Sequence, residues 1–277
     1  DTPLYNELIA VDALPPMPAT ASKLLLMATD PDVDINDLAV VIERDPPLAS
    51  RLIGVANSAF YAPRRPVSSV REAIIRVRGL NMVRNMAFGM ALAGGLSTAA
   101  CPRFDLTAYW VTALGTAEMG AGLARAANIE GMVDPDTAYL AGLLHNIGEL
   151  LLVHLFPQKM AQALEHLAVR PESTLAEQTH AVIGIDQWAA GAFLMRHWQL
   201  PPVIASTIEG LGDPGTVPRN RPLVALLEAT RRWIQGLIAG RVDALEVDGV
   251  DAAYSDSRTT LFGERFEDLR HLAKSMH

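Results

Sequence analysis

Apolar residues recur along this chain at spacings of three and four, and prolines stand where one such run stops and the next starts. That combination restricts the fold more than any other feature, because a 3.6-residue period builds a helix face and proline suits only a helix's first turn. Leu24, Leu25, Met27 and Ala28 follow a proline-rich entry, Leu14-Pro15-Pro16-Met17-Pro18. Asp34-Ile35-Asn36-Asp37 offers an N-cap for Leu38, Val41 and Ile42. Asp45-Pro46-Pro47 ends that helix and opens one carrying Leu48, Leu52, Ile53, Val55 and Ala56. Ser68-Ser69 opens another through Ala73, Ile74 and Val77, and 82–92 forms a further one. A second half begins after Pro102: 106–127 reads as a long amphipathic helix, and Asp134-Pro135-Asp136 caps a helix with Tyr139, Leu140, Leu143 and Leu144. Pro157, Pro171 and Pro201-Pro202 punctuate the remainder.

No stretch sustains apolar/polar alternation, and no Asn-Gly or Asp-Gly turn lies between strand-like runs. Asp248-Gly249 comes nearest, inside 242–257, which holds five acids and no base and reads as a solvated connector before a last helix over 259–276. The expected fold class is all-α: an N-terminal helical subdomain over 1–100, then a helical bundle over 101–277 with a C-terminal helical extension.

Half of the 277 residues are apolar, enough for one large core or two subdomains sharing one. No apolar run reaches the roughly 18 residues of a membrane span, and no basic-then-apolar opening suggests a secretory signal. A single cysteine, Cys101, excludes an internal disulfide and a cysteine-based zinc site, and fits a reducing cytoplasm. A net charge of −8 argues against direct nucleic-acid binding, whose affinity comes from clustered Lys and Arg.

Several segments together resemble the HDOD family, the HD-related output domain of bacterial signalling proteins. They are Leu14-Pro15-Pro16-Met17-Pro18-Ala19, Ile42-Glu43-Arg44-Asp45-Pro46, Ala56-Asn57-Ser58-Ala59-Phe60-Tyr61, the run from Val67 to Ile74, and Phe104-Asp105-Leu106-Thr107-Ala108-Tyr109-Trp110. Tyr139-Leu140-Ala141-Gly142-Leu143-Leu144-His145-Asn146-Ile147-Gly148 and Trp198-Gln199-Leu200-Pro201 complete the set. The similarity runs over about 14–214. The Asn-Ser-Ala-Phe-Tyr and Ala-Gly-Leu-Leu-His elements, in this order and spacing, are the specific ones.

The resemblance implies an HD-like bundle and a role in signal transduction through contacts with other signalling proteins. The parent HD superfamily holds one or two metal ions with histidines and an adjacent His-Asp pair, and uses the metal to activate water. Here that pair reads His145-Asn146. The histidine expected two positions after Trp110 reads Thr112, the one four positions before Gly191-Ala192 reads Gln187, and a later pair before Asp213-Pro214 reads Leu211-Gly212. One imidazole among neutral replacements is a poor metal site. The expectation is therefore a module with no catalytic residue, no metal and no cofactor, and a residual metal-dependent phosphohydrolase is the alternative.

Two readings of His145 stand side by side: a core histidine bonded to a nearby carbonyl, or a member of a leftover pocket with Thr112, Asn146 and Gln187 that binds a small polar ligand. Arg64, Arg65, Arg71, Arg76, Arg78 and Arg84 fall within 21 residues that contain one acid, Glu72. They read either as a solvated face or as a docking site for an acidic partner or a phosphate-bearing nucleotide second messenger. Trp110, Trp188 and Trp198 read as anchors between helices, and Met82, Met86 and Met90 as one inward helix face. His154, His166, His180, His197, His271 and His277 read as surface or half-buried residues.

Overall fold

The computed structural model describes residues 14–27, 33–77, 79–126, 133–170, 172–213, 221–241 and 243–276, which contain helices and no strand. Helix α1 (Ala19–Met27) follows the proline entry. In α2 (Ile35–Glu43) the Asp34 carboxylate accepts from the backbone N–H groups of Asn36 and Asp37, and Asp37 answers the N–H of Asp34, closing a capping box. Asp45 caps α3 (Pro46–Ala56) through the N–H of Leu48, with Pro46 and Pro47 in its first turn. The loop to α4 (Val70–Val77) is clamped by Asn57, whose carboxamide accepts from the N–H of Val67 at 2.7 Å and donates to its carbonyl at 2.8 Å. That pair of hydrogen bonds gives the Asn-Ser-Ala-Phe-Tyr element a local structural reason. Helix α5 (Leu80–Gly94) buries Met82, Met86 and Met90, the face expected of them.

The bundle is built on α6 (Leu106–Ala126). The sequence suggested an amphipathic helix here, but residues 109–124 are all buried, so it is an axial core helix with packing on every side. Against it lies α7 (Pro135–Leu144), capped by Asp134 through the N–H of Thr137. Gly142 allows that approach: a Cβ there would come within 2.8 Å of the Ala117 Cα on α6. A two-residue turn, His145-Asn146, leads into α8 (Ile147–Leu155). The segment Pro135–Leu155 spans 21 residues at mean hydropathy 1.3, long and apolar enough by composition to cross a membrane. This corrects the expectation that no run reaches that length. Its apolar window is 78% buried inside the fold, where α7 and α8 form the centre of the core.

Helices α9 (Pro157–Val169), α10 (Leu175–Ile183), α11 (Gln187–His197) and α12 (Pro202–Gly212) complete this half, with α11 packed on α8 and α12. Trp110, Trp188 and Trp198 are buried between helices. Helix α13 (Arg221–Ile238) returns against α6.

The C-terminal segment forms two helices where one over 259–276 was expected. Asp251 caps a helix, α14 (Ala252–Glu264), that starts inside the acidic stretch, and a break at Arg265 separates it from α15 (Phe266–Lys274). The connector is not wholly solvated: Leu245 is buried, and Trp233 donates its indole N–H to the Asp243 carbonyl. The count of acids misled, because one of them is a cap and its side chain serves the helix backbone. One continuous buried cluster reaches from Leu14 to Met276 and so joins the N-terminal helices to the bundle. Trp198 donates to the Pro15 carbonyl at 2.9 Å, tying the proline entry to the end of α11.

Candidate functional site

His145 and Asn146 occupy the turn between α7 and α8, each about 1% exposed. The His145 Nδ1 lies 2.6 Å from the Gly142 carbonyl oxygen, which can only accept. The neutral ring therefore carries its proton on Nδ1, and Nε2 is left as a buried acceptor with no hydrogen-bond partner. Asn146 donates its amide N–H to the Tyr109 carbonyl at 3.2 Å, which pins the turn to α6, and its Oδ1 is likewise buried without a partner. Thr112, one turn further along α6, donates its hydroxyl to the Ala108 carbonyl. Gln187 begins α11, accepts from the Thr179 hydroxyl at 3.3 Å, and sits against Gly148, where a Cβ would lie 1.8 Å from the Gln187 carbonyl oxygen. All four predicted pocket residues are buried in or around this turn, and each of them spends a polar group on the protein itself.

Three charged groups that the sequence reading passed over complete the surroundings. The Arg231 guanidinium on α13 lies over the Trp188 ring at 5.2 Å, and the His145 ring stacks on the same indole, 6.3 Å between centroids at 24°. Arg231 is held by Glu228 at 2.8 Å and by Gln235 at 2.9 Å. Glu149, in the first turn of α8, is half-buried. Burial raises its carboxyl to about 7, although the Arg231 charge pulls the other way. Burial also lowers His145 to about 4, Arg231 adding to that and the Gly142 bond and Glu228 opposing it. Tyr109 is pushed well above its ordinary value by burial and then by Glu149. Glu149 could have been noticed as the lone acid in an apolar helix; Glu228 and Arg231 lie more than 80 residues from His145, and no local pattern marks them.

The metal implied by the family resemblance does not fit these residues. Asn146 presents an amide where a carboxylate would balance a divalent charge, and a guanidinium stands close enough to Glu149 and His145 to shift both. Among the described residues no group of three or more His, Cys, Asp or Glu side chains could hold a metal ion. What the arrangement can do is hold its own turn rigidly and offer two buried acceptors. Two surface hollows where the N-terminal helices meet the bundle are not lined by His145, Asn146, Thr112 or Gln187.

The predicted arginine face divides. Arg64, Arg65 and Arg71 are exposed, and their guanidinium groups make no ion pair or hydrogen bond among the described residues. Arg76 instead reaches the carbonyls of Arg65 and Pro66 and pairs with Glu72 at 3.4 Å. Arg84 is half-buried, with burial lowering its pKa against the pull of Asp136. Arg78 lies outside the described residues.

Comparison with known proteins places this geometry. A model described as the HDOD domain matches residues 14–214. Among curated proteins, an uncharacterised protein of Treponema pallidum (strain Nichols) is 26% identical over 236 residues, covering 82% of this chain and 44% of that protein. Among solved structures, a candidate signal transduction protein from Marinobacter aquaeolei VT8 is 29% identical at a TM-score of 0.79, covering 96% of this chain and 60% of its own. An HDOD domain protein of unknown function from Geobacter sulfurreducens is 22% identical at a TM-score of 0.76, covering 99% of this chain and 97% of its own. The chain thus spans about half the length of the first two proteins.

Proposed function

Because this chain belongs to the HDOD domain family, we propose that it is a signal-transduction module that works by contact and not by hydrolysis. The signalling role is supported by the family and by the 29% identity to the Marinobacter protein named for signal transduction. The observation that carries the non-catalytic part is the turn at His145-Asn146. Its one imidazole spends Nδ1 on the Gly142 carbonyl, its neighbour is an amide bonded to Tyr109, and the nearby cation is Arg231. A hydrolase of the metal-dependent kind needs several anionic or neutral lone-pair donors converging on one point to lower the pKa of bound water; here a fixed positive charge stands beside the donors.

In this reading the exposed Arg64, Arg65 and Arg71 form the contact surface for an acidic signalling partner, since guanidinium groups without a partner among the described residues can pair bidentately with carboxylates. Coupling between such a surface and the bundle would run through the core that both share.

The test is metal content by mass spectrometry on protein purified without chelator, with phosphodiesterase and phosphomonoesterase assays in added Mn²⁺ or Mg²⁺ on the same sample. The expected result is no stoichiometric metal and no turnover. A full equivalent of bound iron, manganese or zinc, or metal-dependent turnover abolished in His145→Ala, would replace this proposal with that of a residual phosphohydrolase.

A further inference from the structure

Two hollows open side by side where the N-terminal helices meet the bundle. The first, about 400 Å³, has Arg51 of α3 on one side, Ser97 and Thr98 just past α5 on another, and Leu106, Trp110 and Leu150 as apolar wall. The second, about 550 Å³, continues from it through Thr98, Ala99 and Leu106 toward Arg103 and Asp105. Together they form one elongated cleft of a size that takes small molecules.

Its polar groups are unspent at one end. Arg51 is half-buried, yet its guanidinium makes no hydrogen bond or ion pair among the described residues, and the hydroxyls of Ser97 and Thr98 make none either. The Ser97 backbone N–H is already taken by the His154 Nδ1 at 3.1 Å. A partly desolvated cation without an acid is unfavourable unless an anion arrives to meet it. The far end is different. The Asp105 carboxylate lines that end and accepts from the Ala108 N–H at 2.8 Å, while Arg103 faces Glu165 at 3.5 Å. A second anion is therefore disfavoured at that end.

We propose that this cleft binds a small molecule with one anionic head, phosphate or carboxylate, and an apolar body. Arg51, Ser97 and Thr98 receive the head, and the body lies along Leu106, Trp110 and Leu150. The cleft is separate from His145 and Asn146, so its occupation does not depend on whether the bundle is catalytic. It does lie astride the two halves: Arg51 belongs to the N-terminal helices, and Leu150 to α8, the helix that follows Asn146. A bound ligand stabilises whichever arrangement of those elements holds its two ends together.

The experiment titrates the full chain with 1-naphthyl phosphate by calorimetry and follows Tm, with 1-naphthoate, inorganic phosphate and 1-naphthol in parallel. The expected result is saturable one-site binding and a raised Tm with 1-naphthyl phosphate or 1-naphthoate, the tighter of the two identifying the head. Inorganic phosphate and naphthol, each carrying half of the chemistry, should bind at least tenfold more weakly. Arg51→Gln should weaken binding at least tenfold, and Arg170→Gln, at an exposed position outside the cleft, should leave it unchanged. Ser97→Trp, at an exposed rim position, should block the cleft without touching a buried group, and it carries the test if Arg51→Gln fails to fold. No saturable binding of either naphthyl anion, or binding unchanged in a folded blocking variant, would overturn the proposal.

Discussion

His145 and Glu149 sit four residues apart, and burial displaces them in opposite directions. A histidine lowered from 6.5 to about 4 contributes stability that is present above pH 6.5 and lost as pH falls toward 4, because the unfolded chain then binds the extra proton. A carboxyl raised from 4.5 to about 7 contributes stability that is present below 4.5 and lost as pH rises through 7. Between pH 4.5 and 6.5 the two slopes oppose. Each shift corresponds to about 3 kcal/mol at most, with the half-buried Glu149 the smaller because solvent screens it. Wild-type stability in urea is therefore expected to change little across that window. Glu149→Gln should uncover a rise with pH from His145, and His145→Gln a fall with pH from Glu149. Equal slopes in the wild type and both variants would show that neither group titrates as its burial implies.

At the scale of the element, close crossings are set by glycines whose neighbours are backbone. Gly148 in the first turn of α8 meets the Gln187 carbonyl and the Gly191 N–H on α11, so a Cβ can be accommodated only by moving the two helices apart. Gly148→Ala is expected to cost about 3 kcal/mol or more and to shift the urea midpoint accordingly. Gly54, in the last turn of α3, has nothing within 4 Å of the same added atom. Gly54→Ala should be neutral or gain up to about 1 kcal/mol through helix propensity. The contrast separates packing from propensity; similar midpoints for the two variants would contradict the crossing geometry. Gly142 belongs with Gly148: it lets α7 press on α6 and supplies the carbonyl that fixes His145.

At the scale of the whole molecule, the helices beyond the family match are part of the core. Phe60, from the Asn-Ser-Ala-Phe-Tyr element, packs edge-on against Phe262 at 6.1 Å and lies under the Arg265 guanidinium at 4.6 Å. Phe262 in turn meets Trp233 at 5.7 Å, and α13, α14 and α15 all pack on α6. A chain ending at residue 213 would expose that face of the axial helix. It is expected to keep helical circular dichroism while losing a cooperative thermal transition and gaining dye-accessible apolar surface. A sharp, cooperative transition in the truncated chain would show that the C-terminal helices are an appendage.

The sequence by itself determined the helical class, several of the helix starts and the identity of the family. Those depend on local chemistry: proline geometry, Asp34, Asp45 and Asp134 as caps, and the 3.6-residue period act within one turn of the residues that show them. It also singled out His145 and Asn146, which the structure buries together in the turn between α7 and α8. It misjudged α6, because a helix with apolar residues on most faces reads as amphipathic until its neighbours on every side are known. It misplaced the start of α14, because an acid that caps a helix and an acid that faces water look alike in composition. Only the tertiary structure brought Arg231 and Glu228 to Trp188 and His145, withdrew Arg76 and Arg84 from the arginine face, and opened the cleft between Arg51 and Leu150. Each of these joins residues distant in the chain or depends on which face of a helix is covered, and that is decided by packing, not by local spacing.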